Sequence, residues 1–186
     1  MRIIAGEYRG RALASVGKGD AGAHLRPTTD RVRESLFNVL GGGVYGDPIT
    51  DAKVLDLFAG TGALGLEALS RGAAHATFVD DGVKARSLLR QNVEICRAQG
   101  KSKIFRSDAR RLGVNKGARC ELIFLDPPYG KGLGEQAIKA AMKNGWVAKE
   151  ALIVWEESAE IDVPDGLELL GKRQYGLSAI NILCAE

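Results

Sequence analysis

The chain has 186 residues and a mass of 19.8 kDa, which corresponds to one globular domain with room for a small appendage. Hydrophobic residues make up 45% and charged residues 26%, which excludes intrinsic disorder, collagen and coiled coil for the chain as a whole. There is no apolar run long enough for a membrane span and no apolar core of a signal peptide, so we expect a cytoplasmic protein. Three cysteines without a CxxC pair predict reduced thiols, with neither a disulfide framework nor a bound metal.

The net charge of +3 is unevenly distributed along the chain. Residues 84–119 contain eleven Lys or Arg against two Asp or Glu, a net charge of +9, and residues 1–35 carry +3. Residues 36–83 and 120–186 are acidic. Phosphate neutralisation supplies most of the sequence-independent affinity for nucleic acids, so the basic blocks indicate a surface for a polyanion. A solvated helix face with a loop is the alternative that charge alone leaves open.

The first 25 residues are predicted to form an extension of the main domain. Residues 1–14 place apolar side chains around two glycines, which predicts a small β-hairpin. Residues 15–25 are rich in glycine and lack periodicity, which predicts a mobile loop. We therefore divide the chain into an N-terminal extension, residues 1–25, and a main domain, residues 26–186.

The main domain begins with a predicted helix. Pro27 is followed by three residues that are favourable N-caps, Thr28, Thr29 and Asp30. Apolar residues then recur at helical spacing, namely Val32, Leu36, Val39 and Leu40. Three glycines from Gly41 onward are expected to end the helix.

From residue 53, short apolar runs alternate with helical patterns. The runs KVLDLFAG, ATFVDD, KIFRSDA, ELIFLDPPYG and ALIVWEE predict strands, and helices are predicted for GLEALSRG, residues 83–99 and GEQAIKAAMKNG. This alternation is typical of βαβ units with a parallel sheet. No helix separates ELLGKRQYG from LSAINILCAE, which predicts a C-terminal antiparallel hairpin. The predicted fold is a Rossmann-like α/β domain with a mostly parallel, seven-stranded sheet.

A glycine-rich turn follows the first strand of this sheet. In VLDLFAGTGALG, Gly60, Gly62 and Gly65 have the G-x-G-x-x-G spacing between a predicted strand and a predicted helix. Glycines without Cβ atoms let a ligand lie against the backbone and let the turn adopt positive φ. The spacing is not specific, because a tight strand-to-helix turn or an NAD-dependent dehydrogenase would also show it.

Four predicted strand ends each carry an aspartate, namely Asp56, Asp80, Asp108 and Asp126. Asp80 is placed to accept hydrogen bonds from ribose hydroxyls, and Asp108 is placed to meet the exocyclic amine of an adenine. Asp56 lies inside an apolar run, where a carboxylate needs a positive or hydrogen-bonding partner. A cationic or amine-bearing ligand would supply that partner.

The segment LIFLDPPYG predicts a site for an exocyclic amine on a planar base. Pro127 and Pro128 fix φ and remove two backbone donors, which leaves carbonyls without competing amides. Asp126 and the Pro127 carbonyl can accept the two N–H groups, while the ring of Tyr129 stacks on the base. These bonds would localise the nitrogen lone pair for attack on a methyl group carried by a sulfonium.

The order of these motifs resembles that of amino-methyltransferases that use S-adenosylmethionine. The beginning of the chain, RIIAGEYRGR followed by RPTTDRVRESLFNVL, further resembles the RsmD family, which methylates the N2 amine of one guanine in bacterial 16S ribosomal RNA. The resemblance implies a class I methyltransferase fold and S-adenosylmethionine as the cofactor. Two departures are visible: residues 15–25 are longer and richer in glycine than usual, and Asp80 stands where the family often has Glu.

The resemblance also implies which residues hold the cofactor. The methionine part would be held by Asp56 and by the loop that follows it, namely Phe58, Ala59, Gly60, Thr61 and Gly62. Asp80 would hold the ribose, and Asp108 with Ala109 would hold the adenine. Thr28 or Arg31 would close over the cofactor from the N-terminal helix.

For the substrate, the resemblance implies that the target guanine is held by Asp126, Pro127 and Tyr129. The candidate contacts to RNA phosphates are four arginines, namely Arg9, Arg11, Arg26 and Arg33. The alternative is that one or two of them form ion pairs with Asp30 or Glu34 along the helix. The target must be unstacked or flipped to expose its amine. We expect the enzyme to act as a monomer on 16S rRNA within an assembling small subunit.

Three alternatives remain open at this stage. The same Asp-Pro-Pro-Tyr chemistry suits methylation of adenine N6 in DNA or RNA, or of a glutamine amide. The glycine spacing alone would suit an NAD-dependent dehydrogenase. The basic blocks alone would suit an RNA-binding module without enzymatic activity.

Overall fold

The computed structural model of the protein describes residues 1–15 and 29–186. In these ranges seven strands form one sheet in the order β3-β2-β1-β4-β5-β7-β6. The strands are β1 Lys53–Leu57, β2 His75–Val79, β3 Ser102–Phe105, β4 Cys120–Leu125, β5 Val147–Glu157, β6 Leu167–Tyr175 and β7 Ser178–Ala185. The helices are α1 Asp30–Leu40, α2 Ala63–Ser70, α3 Val83–Cys96 and α4 Leu133–Lys143, with two 3-10 turns at Gln99–Lys101 and Ala109–Arg111.

Strands β1 to β5 run parallel, and β7 lies antiparallel between β5 and β6. The predicted seven-stranded α/β fold with a C-terminal hairpin is therefore confirmed. Since the strand order reverses between β1 and β4, their carboxyl ends meet at the topological switch point, where ligands of such sheets bind. Both the glycine-rich turn and the Asp-Pro-Pro-Tyr segment begin there.

Helix boundaries follow local chemistry. Thr29 caps α1, and its Oγ1 accepts a hydrogen bond from the backbone amide of Val32 at 3.3 Å. The helix ends at Leu40, before the predicted glycines. Helix α3 ends at Cys96, earlier than expected, because Arg97 adopts a left-handed conformation with φ of 53°.

Two hydrophobic clusters cover the two faces of the sheet. Helices α1, α2 and α3 pack on one face, and α4 packs on the other. Along β1, Val54 belongs to the first cluster, whereas Leu55 and Leu57 belong to the second. The alternation of side chains in a strand places Asp56 on the same face as Val54, beneath α2.

The N-terminal segment forms a shorter hairpin than predicted. It contains one antiparallel bridge, between Arg2 and Ala12, flanked by hydrogen bonds from the amide of Ile3 to the Arg11 carbonyl and from the amide of Leu13 to the Met1 carbonyl, both at 3.0 Å. The buried carboxylate of Glu67 accepts hydrogen bonds from the backbone amides of Ile4 at 2.9 Å and Ala5 at 3.1 Å. Because α2 satisfies these amides, the antiparallel pairing does not continue beyond the bridge.

Three apolar side chains of this segment, Ile3, Tyr8 and Leu13, are buried in the same cluster as α1 to α3. The segment therefore contributes to the core of the main domain. The predicted mobile loop, apart from Ser15, lies outside the described residues, and the boundary at residue 25 stays a prediction. Within the described ranges, no helix is both long and apolar enough to cross a membrane.

Two glycines of the N-terminal segment provide a test of this packing. Gly6 and Gly10 both have φ of +82°, but a Cβ atom on Gly6 would overlap the Ser70 carbonyl, whereas a Cβ on Gly10 meets nothing within 4 Å. We expect Gly10→Ala to cost about 1–2 kcal/mol of unfolding free energy for the positive φ alone. Gly6→Ala should cost a further 1–3 kcal/mol or so because of the overlap. Equal losses in urea unfolding would contradict the docking of this segment on α2.

Candidate active site

The loop from β1 to α2 is built on left-handed backbone. Phe58 has φ of 57°, Gly60 of 56° and Gly62 of 78°. A Cβ atom on Gly62 would overlap the side chain of Leu89, so this position requires glycine for packing as well as for φ. Phe58 adopts the same region with a bulky side chain, at a cost of about 1–2 kcal/mol. Such strain is held only where the surrounding structure determines it, as at ligand-binding sites.

Asp80 joins this loop to the one that follows β2. Its Oδ2 accepts a hydrogen bond from the backbone amide of Gly60 at 2.8 Å, and its Oδ1 accepts one from Gly82 at 2.8 Å. Burial raises the pKa of this carboxyl. Each carboxylate oxygen retains capacity for a further hydrogen bond, so the side chain can still accept ribose hydroxyls.

Asp56 supports the same loop from beneath. Only 2% of the residue is exposed, and its Oδ2 accepts a hydrogen bond from the backbone amide of Gly65 at 3.0 Å. Burial raises the pKa of Asp56 to about 8, although this hydrogen bond opposes the shift. The partner visible in the structure is thus the first turn of α2, and a contact with the cofactor stays a prediction.

Asp108 lies beyond the strand end, not at it as the sequence predicts. Strand β3 ends at Phe105, and Asp108 caps the 3-10 turn at Ala109–Arg111. Its carboxylate forms a fork with the Arg110 guanidinium, with Nη2 to Oδ2 at 2.6 Å and Nε to Oδ1 at 2.9 Å. These bonds hold the pKa of Asp108 below its usual value. Ala109 is buried, and the adenine contacts of both residues stay predictions.

Asn92 is a site residue that the sequence analysis missed. The side chain is fully buried, and its Nδ2 donates to the carbonyls of Thr61 at 2.9 Å and Ala14 at 3.0 Å. Its Oδ1 accepts from the Ala14 amide at 2.7 Å. Asn92 therefore ties the glycine loop to the N-terminal segment. The detectable signal was a polar residue on the apolar face of α3, between Leu89 and Cys96.

The Asp-Pro-Pro-Tyr segment leaves β4 next to the glycine loop. Asp126 is half-buried and its amide lies 3.5 Å from the carbonyl of Leu57, while Pro127 is buried. The Tyr129 hydroxyl donates to Glu156 Oε1 at 2.6 Å. Burial, followed by this hydrogen bond, raises the pKa of Tyr129. The phenol therefore stays protonated at neutral pH.

Two further acids at this edge were also missed. Glu156 and Glu157 end β5, and the amide of Gly130 donates to Glu157 Oε1 at 3.1 Å. The signal was present in ALIVWEE, where acids follow an apolar strand just as Asp126 does. Strand register brings the carboxyl ends of β1, β2, β4 and β5 side by side, with Leu57 opposite Val79 and Leu125.

One candidate RNA contact is wrong. Arg33 is fully buried, and its guanidinium pairs with Asp30 at 3.0 Å and with Glu67 at 3.8 Å. It also donates to the backbone carbonyl of Arg2. Helical spacing places Arg33 on the buried face of α1 with Leu36, which leaves it inaccessible to a phosphate.

The other arginines differ in exposure. Arg9 is exposed, whereas Arg11 is half-buried, with its Nη1 donating to the Ile95 carbonyl at 3.0 Å and its guanidinium 5.1 Å from the centre of the Tyr8 ring. Arg31 is exposed on α1 and lines a shallow groove, so its closure over the cofactor stays a prediction. The remaining two candidates, Arg26 and Thr28, lie outside the described residues. No cluster of three or more potential metal ligands was found in the part of the chain that the structure describes.

The fold and the site together define a class I methyltransferase. A putative methyltransferase, yhhF from Escherichia coli, has a TM-score of 0.84 and 42% identity, covering 100% of this chain and 98% of that one. A putative methylase from Haemophilus influenzae has a TM-score of 0.76 and 30% identity, and the match covers 99% of this chain and 97% of that one.

Sequence comparison gives the family. Residues 1–184 match the family model described as conserved hypothetical protein 95. Ribosomal RNA small subunit methyltransferase D of E. coli is 43% identical over 88% of this chain and 78% of its own length. Putative rRNA methyltransferase YlbH of Bacillus subtilis is 38% identical over 98% of this chain and 97% of its own length. The chain belongs to the family of ribosomal RNA small subunit methyltransferase D, which confirms the resemblance seen in its motifs.

The role of Asn92 can be tested by truncation. We expect Asn92→Ala to lower the free energy of unfolding by about 2–3 kcal/mol, because it leaves a buried carbonyl of Thr61 and partly buried backbone groups of Ala14 unpaired. The variant should also bind S-adenosylhomocysteine more weakly in calorimetry, since Thr61 belongs to the glycine loop. Gln91→Ala, at an exposed position of the same helix, is the matched control. Unchanged affinity would show that the tie to Thr61 does not support the loop.

The pKa of Asp56 predicts a pH-dependent stability. The folded state raises this pKa from 3.8 to about 8, so between these values the folded protein binds the extra proton. The contribution of Asp56 to the free energy of unfolding is therefore greatest at low pH. It is lost as the pH rises, by at most about 1.4 kcal/mol per pH unit. The amide of Asp56→Asn does not titrate, so this variant lacks the loss. In urea unfolding, its free energy of unfolding should therefore rise relative to that of wild type between pH 5 and pH 8. The control is Asp51→Asn at an exposed position, for which the difference in unfolding free energy from wild type should not change with pH. A constant difference for Asp56→Asn would contradict the raised pKa of Asp56.

Proposed function

We propose that this protein transfers a methyl group from S-adenosylmethionine to the exocyclic N2 amine of a guanine in 16S ribosomal RNA of the small subunit. The observation that carries this proposal is the adjacency of Asp126–Tyr129 to the glycine loop at the ends of β4 and β1. Membership of a family whose curated relatives are named for methylation of small-subunit rRNA supports the substrate.

The residues at the switch point fit the proposed cofactor. S-adenosylmethionine has a cationic sulfonium and an ammonium group, and burial raises the pKa of the two carboxyls behind the loop, Asp56 and Asp80. A positive charge nearby favours their ionised forms and so offsets part of the cost of burying them. When bound, the cofactor supplies an electrophilic methyl group on sulfur.

The target amine is oriented by the chain itself. Asp126 accepts one N–H of the amine and the Pro127 carbonyl accepts the other, which withdraws the lone pair from the base and aims it at the methyl group. Tyr129 stacks on the ring and holds its plane. Asp126 either orients the amine alone or also takes the proton released after transfer. Neither a metal ion nor a covalent enzyme intermediate is needed.

The RNA would be bound through exposed basic side chains. Arg9 is exposed near the N-terminus, and residues 84–119 contribute further exposed cations. These lie on α3, just after α3, on the edge strand β3 and beyond that strand, namely Arg90, Arg97, Lys103, Arg106 and Arg111. Their phosphate contacts would hold the RNA while the target guanine is flipped out of its stack. A domain of this size has little surface for reading sequence, so the shape of an assembling subunit would supply selectivity. We further propose that the protein acts as a monomer in the cytoplasm.

The activity is tested with purified protein, labelled S-adenosylmethionine and undermethylated small subunits. Digestion of the product should yield N2-methylguanosine. Asp126→Ala should lower the rate by at least about 100-fold while S-adenosylhomocysteine binding is kept, because the aspartate contacts the amine and not the cofactor. The control is Asp165→Ala, at an exposed position.

Each rival function gives a different outcome in these measurements. N6-methyladenosine, or a methylated glutamine in a protein substrate, would replace the guanine assignment. Tight binding of NAD in calorimetry, without binding of S-adenosylhomocysteine, would indicate a dehydrogenase. Full activity of Asp126→Ala would remove the proposed mechanism.

A further inference from the structure

The two glutamates at the end of β5 have no role in the mechanism described so far. Glu156 is 9% exposed and Glu157 4% exposed, although both lie at the edge of the sheet that carries the site. Consecutive strand residues point to opposite faces, so the two carboxylates extend to the two sides of the sheet. Both reach the segment that follows β4, because Leu125 is paired with Trp155, the residue just before them.

Glu156 binds the hydroxyl group of Tyr129. Its Oε1 accepts this hydrogen bond at 2.6 Å and a second one from Ser178 Oγ at 2.9 Å. A hydroxyl donor to a carboxylate at such distances forms a strong, charge-assisted bond. Since the pKa of Tyr129 is raised by its burial, the phenol remains the donor throughout the physiological pH range.

Glu157 holds the backbone of the next residue. Its Oε1 accepts hydrogen bonds from the amides of Gly130 at 3.1 Å and Ser158 at 2.8 Å. The ring of Tyr129 is thereby held at its hydroxyl end by one glutamate, while the chain just beyond its Cα is held by the other. Two separated attachment points restrict both the position and the rotation of the ring.

The support continues into the C-terminal hairpin. Ser178 is the first residue of β7, paired with Tyr175 at the end of β6. The Tyr175 hydroxyl lies 2.8 Å from Ser35 Oγ on α1. The hairpin tip is thus attached to a helix on one side and to the carboxylate of Glu156 on the other.

We propose that Glu156 is a positioning residue for the methyl transfer: its carboxylate, held by Ser178, fixes the plane of the Tyr129 ring and so the plane of the target base. This inference rests on the proposed function, in which Tyr129 stacks on the guanine. A shift of about 1 Å in the position of a reacting group can cost up to about 100-fold in rate. The antiparallel hairpin thereby acquires a function in catalysis beyond closing the sheet.

Steady-state kinetics on small subunits provide the first test. Tyr129→Phe keeps the ring and removes its anchor, so we expect kcat to fall roughly tenfold with an unchanged KM for S-adenosylmethionine. Glu156→Ala should produce a similar fall, and the double variant should be no slower than the slower single variant, because both changes break the same bond. Glu156→Gln should restore most of the activity, since an amide oxygen can accept both hydroxyl groups. Glu168→Ala, at an exposed position on β6, is the control.

A spectroscopic measurement separates this proposal from the proposed function. In protein labelled with fluorotyrosine, the ¹⁹F resonance of Tyr129 is identified by its loss in Tyr129→Phe. We expect Glu156→Ala and Ser178→Ala to shift this resonance and to increase ring mobility, and Glu156→Gln to resemble wild type.

The outcomes are distinguishable. Unchanged ¹⁹F spectra, independent effects of the two changes on kcat, or full activity of Tyr129→Phe would each overturn the positioning role. A lower melting temperature of Glu156→Ala with normal kcat would do the same, since it indicates a role in stability alone. If the wild-type protein makes no N2-methylguanosine but the variants show the expected ¹⁹F changes, the proposed substrate is overturned. The role of Glu156 in holding the ring of Tyr129 is then still supported. If Glu156→Ala does not fold, Tyr129→Phe carries the kinetic test and Ser178→Ala carries the ¹⁹F test.

Discussion

Buried and half-buried carboxylates that accept hydrogen bonds from backbone amides hold the segments around the candidate site. Asp80 binds the amides of Gly60 and Gly82, Asp56 binds Gly65, and Glu157 binds Gly130. A loop at the end of a parallel sheet has no neighbouring strand to satisfy its amides, and an unpaired buried amide is costly. A carboxylate placed at a strand end meets this requirement with one side chain.

The same arrangement gives the site its electrostatic character. Burial raises the pKa values of Asp56 and Asp80, so a nearby cation would favour the ionised form of both carboxyls. A sulfonium cofactor is a suitable cation, whereas RNA phosphates are not. Under the proposed function, the RNA would instead meet the exposed basic side chains of α3 and β3.

The N-terminal segment shows how tertiary contacts changed the expected picture. Its apolar and glycine residues predicted a hairpin, and the hairpin that forms is limited to the bridge between Arg2 and Ala12. Glu67 and Ser70 of α2 accept hydrogen bonds from the other amides of the segment, those of Ile4, Ala5 and Tyr8. Arg33 was expected at the surface, but its position on the inner face of α1 commits it to the buried carboxylate of Glu67. Sequence reasoning identifies a charged residue readily, whereas the partner that neutralises it can lie far along the chain.

The sequence by itself determined the order of strands and helices, the C-terminal hairpin, the glycine turn and the Asp-Pro-Pro-Tyr segment, because each depends on residues close together in the chain. Periodicity, capping and turn chemistry act over a few residues and can be read directly. Only the tertiary structure decided the roles of Asn92, Glu156 and Arg33, since their partners are separated from them by 31, 27 and 34 residues respectively. Such contacts arise from the pairing of β4 with β5 and the packing of helices on the sheet, which local patterns do not encode.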